Sequence, residues 1–231
     1  MKRAQELFTF EAVASGSPHV SGAWCTRSEP DPDELFMSVA AANWEIVVTR
    51  PAGGPPWVSL RGPETSASPA PIPADAEFLG IQIHMGTYLT QLDMRRLVDR
   101  AITLQAASGT AFRWLDGSVW ELPTAGNADV LIERLATAGL LVHDPAVPAA
   151  LHDEVAGLST RSVERRVARA TGLTRGTIRQ IRRAERAVEL LESGIPAREV
   201  AGRAGYADQP HLTRSLKRFV GHTPSQAGGT P

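Results

Sequence analysis

Side chains suited to bonding the edges of DNA bases cluster in the last third of the chain, within IPAREVAGRAGYADQPHLTRSLKRFVGHTPSQ (195–226). Arginine can bond guanine O6 and N7 as a pair, and polar neighbours can add further hydrogen bonds. A helix over the second half of this segment gives one apolar stripe, at i, i+4, i+7 and i+8, formed by Leu212, Leu216, Phe219 and Val220. The other face carries Gln209, Thr213, Arg214 and Lys217. We therefore predict one packed face and one face free to read DNA.

Two short helices with a glycine between them are needed to position these side chains. Pro196 suits the first turn of a helix, since its missing N–H would have no partner there. Ala201 and Gly205 stand four residues apart, the spacing at which a helix-turn-helix needs close packing and a left-handed turn. Asp208 can then cap the second helix. This pattern predicts a helix-turn-helix unit.

A second candidate reading helix lies upstream, in LSTRSVERRVARATGL. Ser159 or Thr160 can cap it, and it should end at Gly172. Its predicted inner face consists of Val163, Val167 and Ala170. A connecting helix over about 175–192 is predicted from the apolar positions Thr177, Ile181, Ala184, Val188 and Leu191, with Gly194 at its C-terminal end. Its length of roughly 27 Å could hold two reading helices about one turn of DNA apart.

Together the three segments resemble the C-terminal domain of AraC-type (arabinose-regulator-like) transcriptional regulators, from Leu158 to Gln226. The resemblance implies a bipartite domain in which two reading helices enter successive major-groove segments on one face of the duplex. The base-reading positions that it implies are Arg161, Glu164, Arg165, Gln209, Thr213 and Arg214. The expected phosphate contacts are Arg169, Arg175, Arg179, Lys217 and Arg218.

The sequence departs from the family pattern in two places. Before the first reading helix stands DPAVPAALHDEVAGLS, in which Pro145 and Pro148 leave little room for a full positioning helix. We therefore expect an abbreviated first helix-turn-helix. Pro210 occupies a base-facing position of the second reading helix, where it can offer only apolar contact. Glu164 has two interpretations, since it can accept from cytosine N4 or can serve as a salt-bridge partner for a neighbouring arginine.

The charge distribution divides the chain into two halves. Residues 156–231 hold 14 Arg and Lys against 6 Asp and Glu, whereas residues 1–155 hold 10 against 19. This asymmetry is typical of a nucleic-acid-binding module attached to a part that binds something else. A single cysteine, Cys25, allows no internal disulfide, and no long apolar run indicates a signal peptide or a membrane span. We expect a bacterial, cytoplasmic protein that does not interact with membranes.

The sequence predicts that the N-terminal part consists mostly of β-strands. Extended runs broken by Pro, Gly and Ser predict strands at 35–41, 45–49, 57–60 and 78–85. Helices are expected at 95–105 and at 128–141, the latter with Leu131, Leu135 and Ala138 on its apolar side. The predicted fold class is α+β, with a mostly-β, sensor-like N-terminal domain at 1–145 and an all-α domain at 156–231 that holds two helix-turn-helix units joined by a long helix. All five tryptophans fall in the N-terminal domain, where most should be core.

Catalysis is not expected, because iron-dependent β-barrel enzymes need clustered histidines and a carboxylate. The histidines before the helical part, at 19, 84, 143 and 152, are mostly well separated. We therefore predict no catalytic residues, no metal and no cofactor. His84 is a weak candidate for lining a ligand pocket.

The sequence predicts a sequence-specific DNA-binding transcriptional regulator, gated by a ligand or constitutive. The alternative is a small-molecule-binding protein or enzyme with a vestigial DNA-binding tail. A third interpretation is nonspecific architectural binding, with steep salt dependence and no preferred sequence. Double-stranded DNA is the expected partner. RNA polymerase, a small-molecule effector and a second copy of the chain are further candidate partners.

Overall fold

The computed structural model describes residues 2–3, 9–29, 35–152, 154 and 157–228. It has the predicted α+β fold, in which β-strands precede a helical C-terminal region. The strands of the described part are β1 Lys2–Arg3, β2 Glu11–Val13, β3 Val20–Arg27, β4 Phe36–Ser38, β5 Glu45–Pro51, β6 Trp57–Arg61, β7 Ser68–Ala70, β8 Ala76–Ile83, β9 Thr87–Leu89, β10 Ala101–Leu104, β11 Ala106–Ser108, β12 Ala111–Arg113, β13 Val119–Glu121 and β14 Leu141–His143. The helices are α1 Ala128–Thr137, α2 Ala146–Leu151, α3 Thr160–Thr171, α4 Arg175–Glu192, α5 Ala197–Arg203, α6 Gln209–Phe219 and α7 Pro224–Ala227.

A six-stranded antiparallel sheet with strand order β10-β6-β5-β8-β3-β2 forms the centre of the N-terminal region. Side chains of β8 alternate between the two faces of the sheet, since Ile81 and Ile83 are fully buried while Gln82 is exposed. The strands predicted near 45–49, 57–60 and 78–85 are confirmed. The run predicted at 35–41 contributes only the short strand β4, which pairs with β1 and β7 in a smaller sheet.

The helix predicted at 95–105 is wrong. The chain forms a short 3-10 turn at Met94–Arg96, and residues 101–104 form the edge strand β10 against β6. Asp99 has a φ of +56°, a left-handed conformation that interrupts any helix there. The β-branched Ile102 and Thr103 suit the strand that follows.

The helix predicted at 128–141 is present but ends early, at Thr137. Gly139 has a φ of +69° and turns the chain, so that residues 141–143 form β14 against β9. Leu131 and Leu135 are buried as expected, whereas Ala138 is exposed.

The helical region follows the predicted order. The positioning helix α2 has only six residues and contains Pro148, which agrees with an abbreviated first unit. The connecting helix α4 spans 18 residues, and Gly194 follows it with a φ of +80°. Its buried positions are Ile178, Ile181, Ala184, Ala187 and Leu191, so the stripe lies slightly off the predicted one, with Thr177 and Val188 only half-buried.

The β region and the helices share one apolar core. Helix α3 packs on the 3-10 turn and on β9, while two backbone hydrogen bonds join the end of α6 to the β region. In these bonds the Ala40 N–H donates to the Phe219 carbonyl at 2.7 Å and the Ala67 N–H to that of Arg218 at 2.8 Å. The predicted domain limits at 156 and 231 lie outside the described residues. Within the described part, every helix is too short or too polar to cross a membrane.

Candidate nucleic-acid interface

Helix α3 is positioned by its two ends and one buried stripe. The Ser159 hydroxyl accepts from the Ser162 N–H at 3.3 Å, and Gly172 ends the helix with a φ of +76°. The predicted inner face is confirmed, because Val163, Val167 and Ala170 are buried. This packing leaves Arg161 and Arg165 exposed. Both guanidinium groups are therefore accessible to a duplex.

Glu164 forms an ion pair across the first unit. Its carboxylate lies 3.2 Å from Nε of Arg175 on α4, and the Arg175 guanidinium also donates to the Ala150 carbonyl at 3.4 Å. Glu164 therefore forms the salt bridge that was one of its two predicted roles. Since both side chains are partly exposed, the pair contributes little to stability, at most about 1 kcal/mol. The pair joins α3 to α4 at the first unit.

Two further arginines of α3 contact the β region. The Arg166 guanidinium lies 2.9 Å from the Asp144 carboxylate, and that of Arg169 lies 5.1 Å from the centre of the Tyr88 ring. Arg169 is also a predicted phosphate contact. The structure shows its contact with Tyr88, and its contact with DNA stays a prediction. The two interactions connect α3 directly to the N-terminal region.

Helix α6 is organised by the predicted turn and cap. Gly205 has a φ of +75°, and the Asp208 carboxylate accepts from the His211 N–H at 2.6 Å. Gln209 and Arg214 are exposed. The half-buried Thr213 donates its hydroxyl proton to the Gln209 carbonyl at 3.0 Å. That hydroxyl can still accept a hydrogen bond from a base.

A basic cleft of about 470 Å³ lies between α4 and α6. Four arginines line it: Arg179, Arg183, Arg214 and Arg218. The Arg183 guanidinium lies 5.6 Å from the Tyr206 ring centre, and burial raises the pKa of the Tyr206 hydroxyl. The cleft brings together three of the predicted DNA contacts and places beside them Arg183 and Tyr206, which are not among the predicted contacts. Arg183 follows Arg179 by four residues, the spacing that places both on one side of a helix. The remaining predicted contact, Lys217, is exposed on α6.

Three histidines come together in the β region, contrary to the separation inferred from the sequence. The His143 ring centre lies 5.7 Å from that of His84 and 6.5 Å from that of His19. The Thr87 hydroxyl lies 2.9 Å from His143 Nδ1. Burial lowers the pKa of His143, and the neighbouring histidines lower it further. Within the described ranges no group of side chains is arranged to hold a metal ion.

Two of the cavities lined by described residues border the six-stranded sheet. One, of about 900 Å³, is lined by residues that include Cys25, Arg27 and Arg50. The other, of about 470 Å³, lies between the six-stranded sheet and α4 and is lined in part by Trp24. The predicted ligand-pocket residue His84 lines neither of them. Trp44, Trp114 and Trp120 are buried, which agrees with their predicted role as core.

Comparison with known proteins identifies the helical region. A family model described as a helix-turn-helix domain matches residues 154–228. The HTH-type transcriptional regulator RipA of Corynebacterium glutamicum is 34% identical over 92 residues, a segment that covers 39% of this chain and 28% of RipA. The chain thus spans less than a third of the length of this relative.

Solved structures of ToxT from Vibrio cholerae also align with the chain. One covers 96% of this chain and 98% of ToxT with a TM-score of 0.39, and another covers 95% and 96% with a TM-score of 0.37. Both are 9% identical.

Proposed function

We propose that this chain is a sequence-specific transcriptional regulator of the AraC type, and that its helix-turn-helix region, matched at residues 154–228, reads DNA with both α3 and α6. The two reading helices would enter successive major-groove segments on one face of the duplex. The N-terminal region would control this binding in response to a small molecule. AraC-type transcriptional regulators are not enzymes, and no catalytic step is proposed.

The observation that carries the proposal is the placement of two polar helix faces around one connecting helix. Helix α4 has 18 residues, a length of roughly 27 Å, and follows α3 after three residues. Arg161 and Arg165 on α3 and Gln209 and Arg214 on α6 are exposed, while the apolar stripes of both helices are buried. The major groove of a duplex repeats about every 34 Å, and the length of the connecting helix is close to this distance.

Affinity and discrimination should come from different side chains. The proposed phosphate contacts are Arg169, Arg175, Arg179, Lys217 and Arg218, which would release counterions and make affinity salt-dependent. The proposed base contacts are Arg161, Glu164, Arg165, Gln209, Thr213 and Arg214. A good bidentate contact contributes about 1–3 kcal/mol of discrimination. The Glu164–Arg175 ion pair would have to open for either side chain to contact DNA fully.

Control by the N-terminal region is supported by its contacts with both reading helices. Arg166 and Arg169 of α3 contact Asp144 and Tyr88, and the C-terminal end of α6 accepts two backbone hydrogen bonds from the β region. A ligand that shifts the β region relative to the helices would therefore change the relative orientation of α3 and α6. RNA polymerase and a second copy of the chain stay as candidate partners.

The test is selection of bound duplexes from a randomised library at near-physiological salt. The wild-type chain should enrich a defined sequence, whereas the double variant Arg165→Ala plus Arg214→Ala should not. Glu121→Gln, a change at an exposed residue of β13 outside the helix-turn-helix region, is the control that should leave the enriched sequence unchanged. Steep salt dependence without enrichment would favour architectural binding. A complete lack of DNA affinity, with and without small molecules, would favour a small-molecule-binding protein with a vestigial tail.

A further inference from the structure

The cavity between the six-stranded sheet and α4 has a composition that specifies a class of ligand. At about 470 Å³ it is within the usual range for small-molecule sites. One wall comes from β3, β4, β5 and β6, and the opposite wall from α4 and the end of α6. A molecule bound there would contact both the β region and the helical region.

Negative charge dominates the polar lining of this cavity. Among the described lining residues there is one guanidinium, that of Arg61, and there are five carboxylates: Glu45, Glu64, Glu185, Glu189 and Glu192. An organic anion would be repelled by this lining, whereas a cation would be attracted. The charge therefore favours a positively charged ligand.

Arg61 is already engaged by carboxylates and hydroxyls of the wall. Its guanidinium lies 2.9 Å from Glu64 and 3.3 Å from Glu45, and it donates to the Ser38 hydroxyl at 3.3 Å. Ser38 in turn donates to Glu64 at 2.7 Å. Binding an anionic ligand through Arg61 would have to break this network. Binding a cation leaves the network intact.

Three carboxylates of α4 contribute to the lining from solvent-exposed positions. Glu185, Glu189 and Glu192 fall at i, i+4 and i+7, a spacing that places like charges beside one another and destabilises an isolated helix. Burial raises the pKa of Glu185 although part of its side chain is exposed; Glu189 raises this pKa further and Arg182 opposes the shift. A bound cation would relieve the repulsion.

The pKa of Glu45, on the opposite wall, is also raised. Burial is the main cause of its raised pKa, and Glu64 adds to the shift. Arg61 and a hydrogen bond from the Trp24 side chain lower the pKa, but do not offset the burial. Burial and the nearby Glu64 thus disfavour the ionised form of this carboxyl, and a positive charge bound in the cavity would stabilise that form.

The rest of the lining is apolar and rich in aromatic rings. Phe10 packs edge-on against Trp24 with ring centres 5.2 Å apart, and Phe36 lines the cavity as well. Phe219 is also part of the lining, but its ring already faces the Arg218 guanidinium at 4.9 Å. Aromatic faces attract cations, and the attraction grows when the cation has little water around it. Aromatic walls with carboxylates at the edges suit a cation whose charge is carried on an apolar body.

We propose that this cavity is a binding site for a lipophilic organic cation. The binding itself is independent of DNA, whereas its regulatory consequence rests on the proposed function. Phe219 and Val220, at the end of the second reading helix, form part of the wall, and the Phe219 carbonyl accepts the hydrogen bond from Ala40. Occupation of the cavity would thus act on the junction that orients α6.

The experiment is calorimetric titration of the full chain, without DNA, with tetraphenylphosphonium as the cation and tetraphenylborate as an anion of the same shape. We expect one cation per chain and roughly tenfold or greater preference over the anion. Glu185→Gln and Glu189→Gln should each weaken cation binding several-fold. Glu121→Gln, which removes a charge outside the cavity, should leave the affinity unchanged.

Circular dichroism and a melting curve establish that each variant is folded before titration. Three results would each overturn the proposal. One is absence of cation binding by the folded wild type, and another is equal binding of the two ions. The third is an unchanged affinity for the cation in the double variant Glu185→Gln plus Glu189→Gln. Since the titration contains no DNA, a negative result here leaves the DNA-binding proposal standing. Conversely, if the chain binds the cation but no DNA duplex, only the DNA-binding proposal is refuted.

Discussion

The close packing of α3 against the β region predicts a large effect of a single methyl group at Gly172. This glycine ends α3 with a φ of +76°, and a Cβ there would lie 2.6 Å from the Met94 carbonyl oxygen and 2.7 Å from Val98 Cγ2. The left-handed conformation costs a non-glycine residue about 1–2 kcal/mol. Forcing a methyl into packed surroundings adds about 1–3 kcal/mol. Gly172→Ala should therefore destabilise the chain by about 2–5 kcal/mol.

Gly194 provides the matched control. It ends α4 with a φ of +80°, but a Cβ there would have no atom within 4 Å. Gly194→Ala should cost only the conformational part, about 1–2 kcal/mol. Urea unfolding followed by far-ultraviolet circular dichroism measures both variants. Equal destabilisation of the two would mean that α3 does not pack against the 3-10 turn as described, and the inferred connection between the first reading helix and the N-terminal region would be lost.

Three further outcomes are expected. Arg214→Ala should relax sequence preference at one position by about 1–3 kcal/mol, whereas Lys217→Ala should weaken binding to all duplexes alike; equal losses on specific and random DNA for Arg214→Ala would remove it from the base readers. Asp208→Ala removes the carboxylate that caps α6, and should cost about 1 kcal/mol in a urea titration; an unchanged midpoint would contradict this role. Since burial raises the pKa values of Glu45 and Glu185, protons compete with a bound cation, so tetraphenylphosphonium affinity should fall as pH is lowered from about 7.5 to the ordinary glutamate pKa of about 4.3. Affinity independent of pH over that range would show that neither carboxylate meets the cation.

Local sequence signals were sufficient to predict the order of the helices and their buried faces in the helical region. Proline and glycine punctuation, together with a cap such as Asp208, predicted the turn before α6, and heptad-like spacing predicted the buried faces of α3 and α6. These features depend on residues only a few positions apart. The same local reasoning identified Arg179, Arg214 and Arg218 individually, but not the cleft that they share with Arg183.

Features that depend on distant pairing were not predictable in this way. The helical pattern near 95–105 was overridden by pairing of β10 with β6, about forty residues earlier in the chain. His19, His84 and His143 come from three separate segments that only the sheet arrangement brings together. The acidic cavity likewise combines strands with the distal half of α4, whose glutamates read in the sequence as an ordinary charged helix face.

The central claim is that α3 and α6 read one duplex from fixed positions along a rigid connecting helix. After a bound sequence has been selected, the direct measurement is the affinity for the same duplex with about five base pairs, half a helical turn, inserted between its two elements. The insertion turns one element to the opposite side of the duplex, so affinity should fall to that of a duplex carrying a single element. Restoring a full turn should not recover it, because an α4 of about 27 Å cannot span two turns. Unchanged affinity after the half-turn insertion would contradict the account.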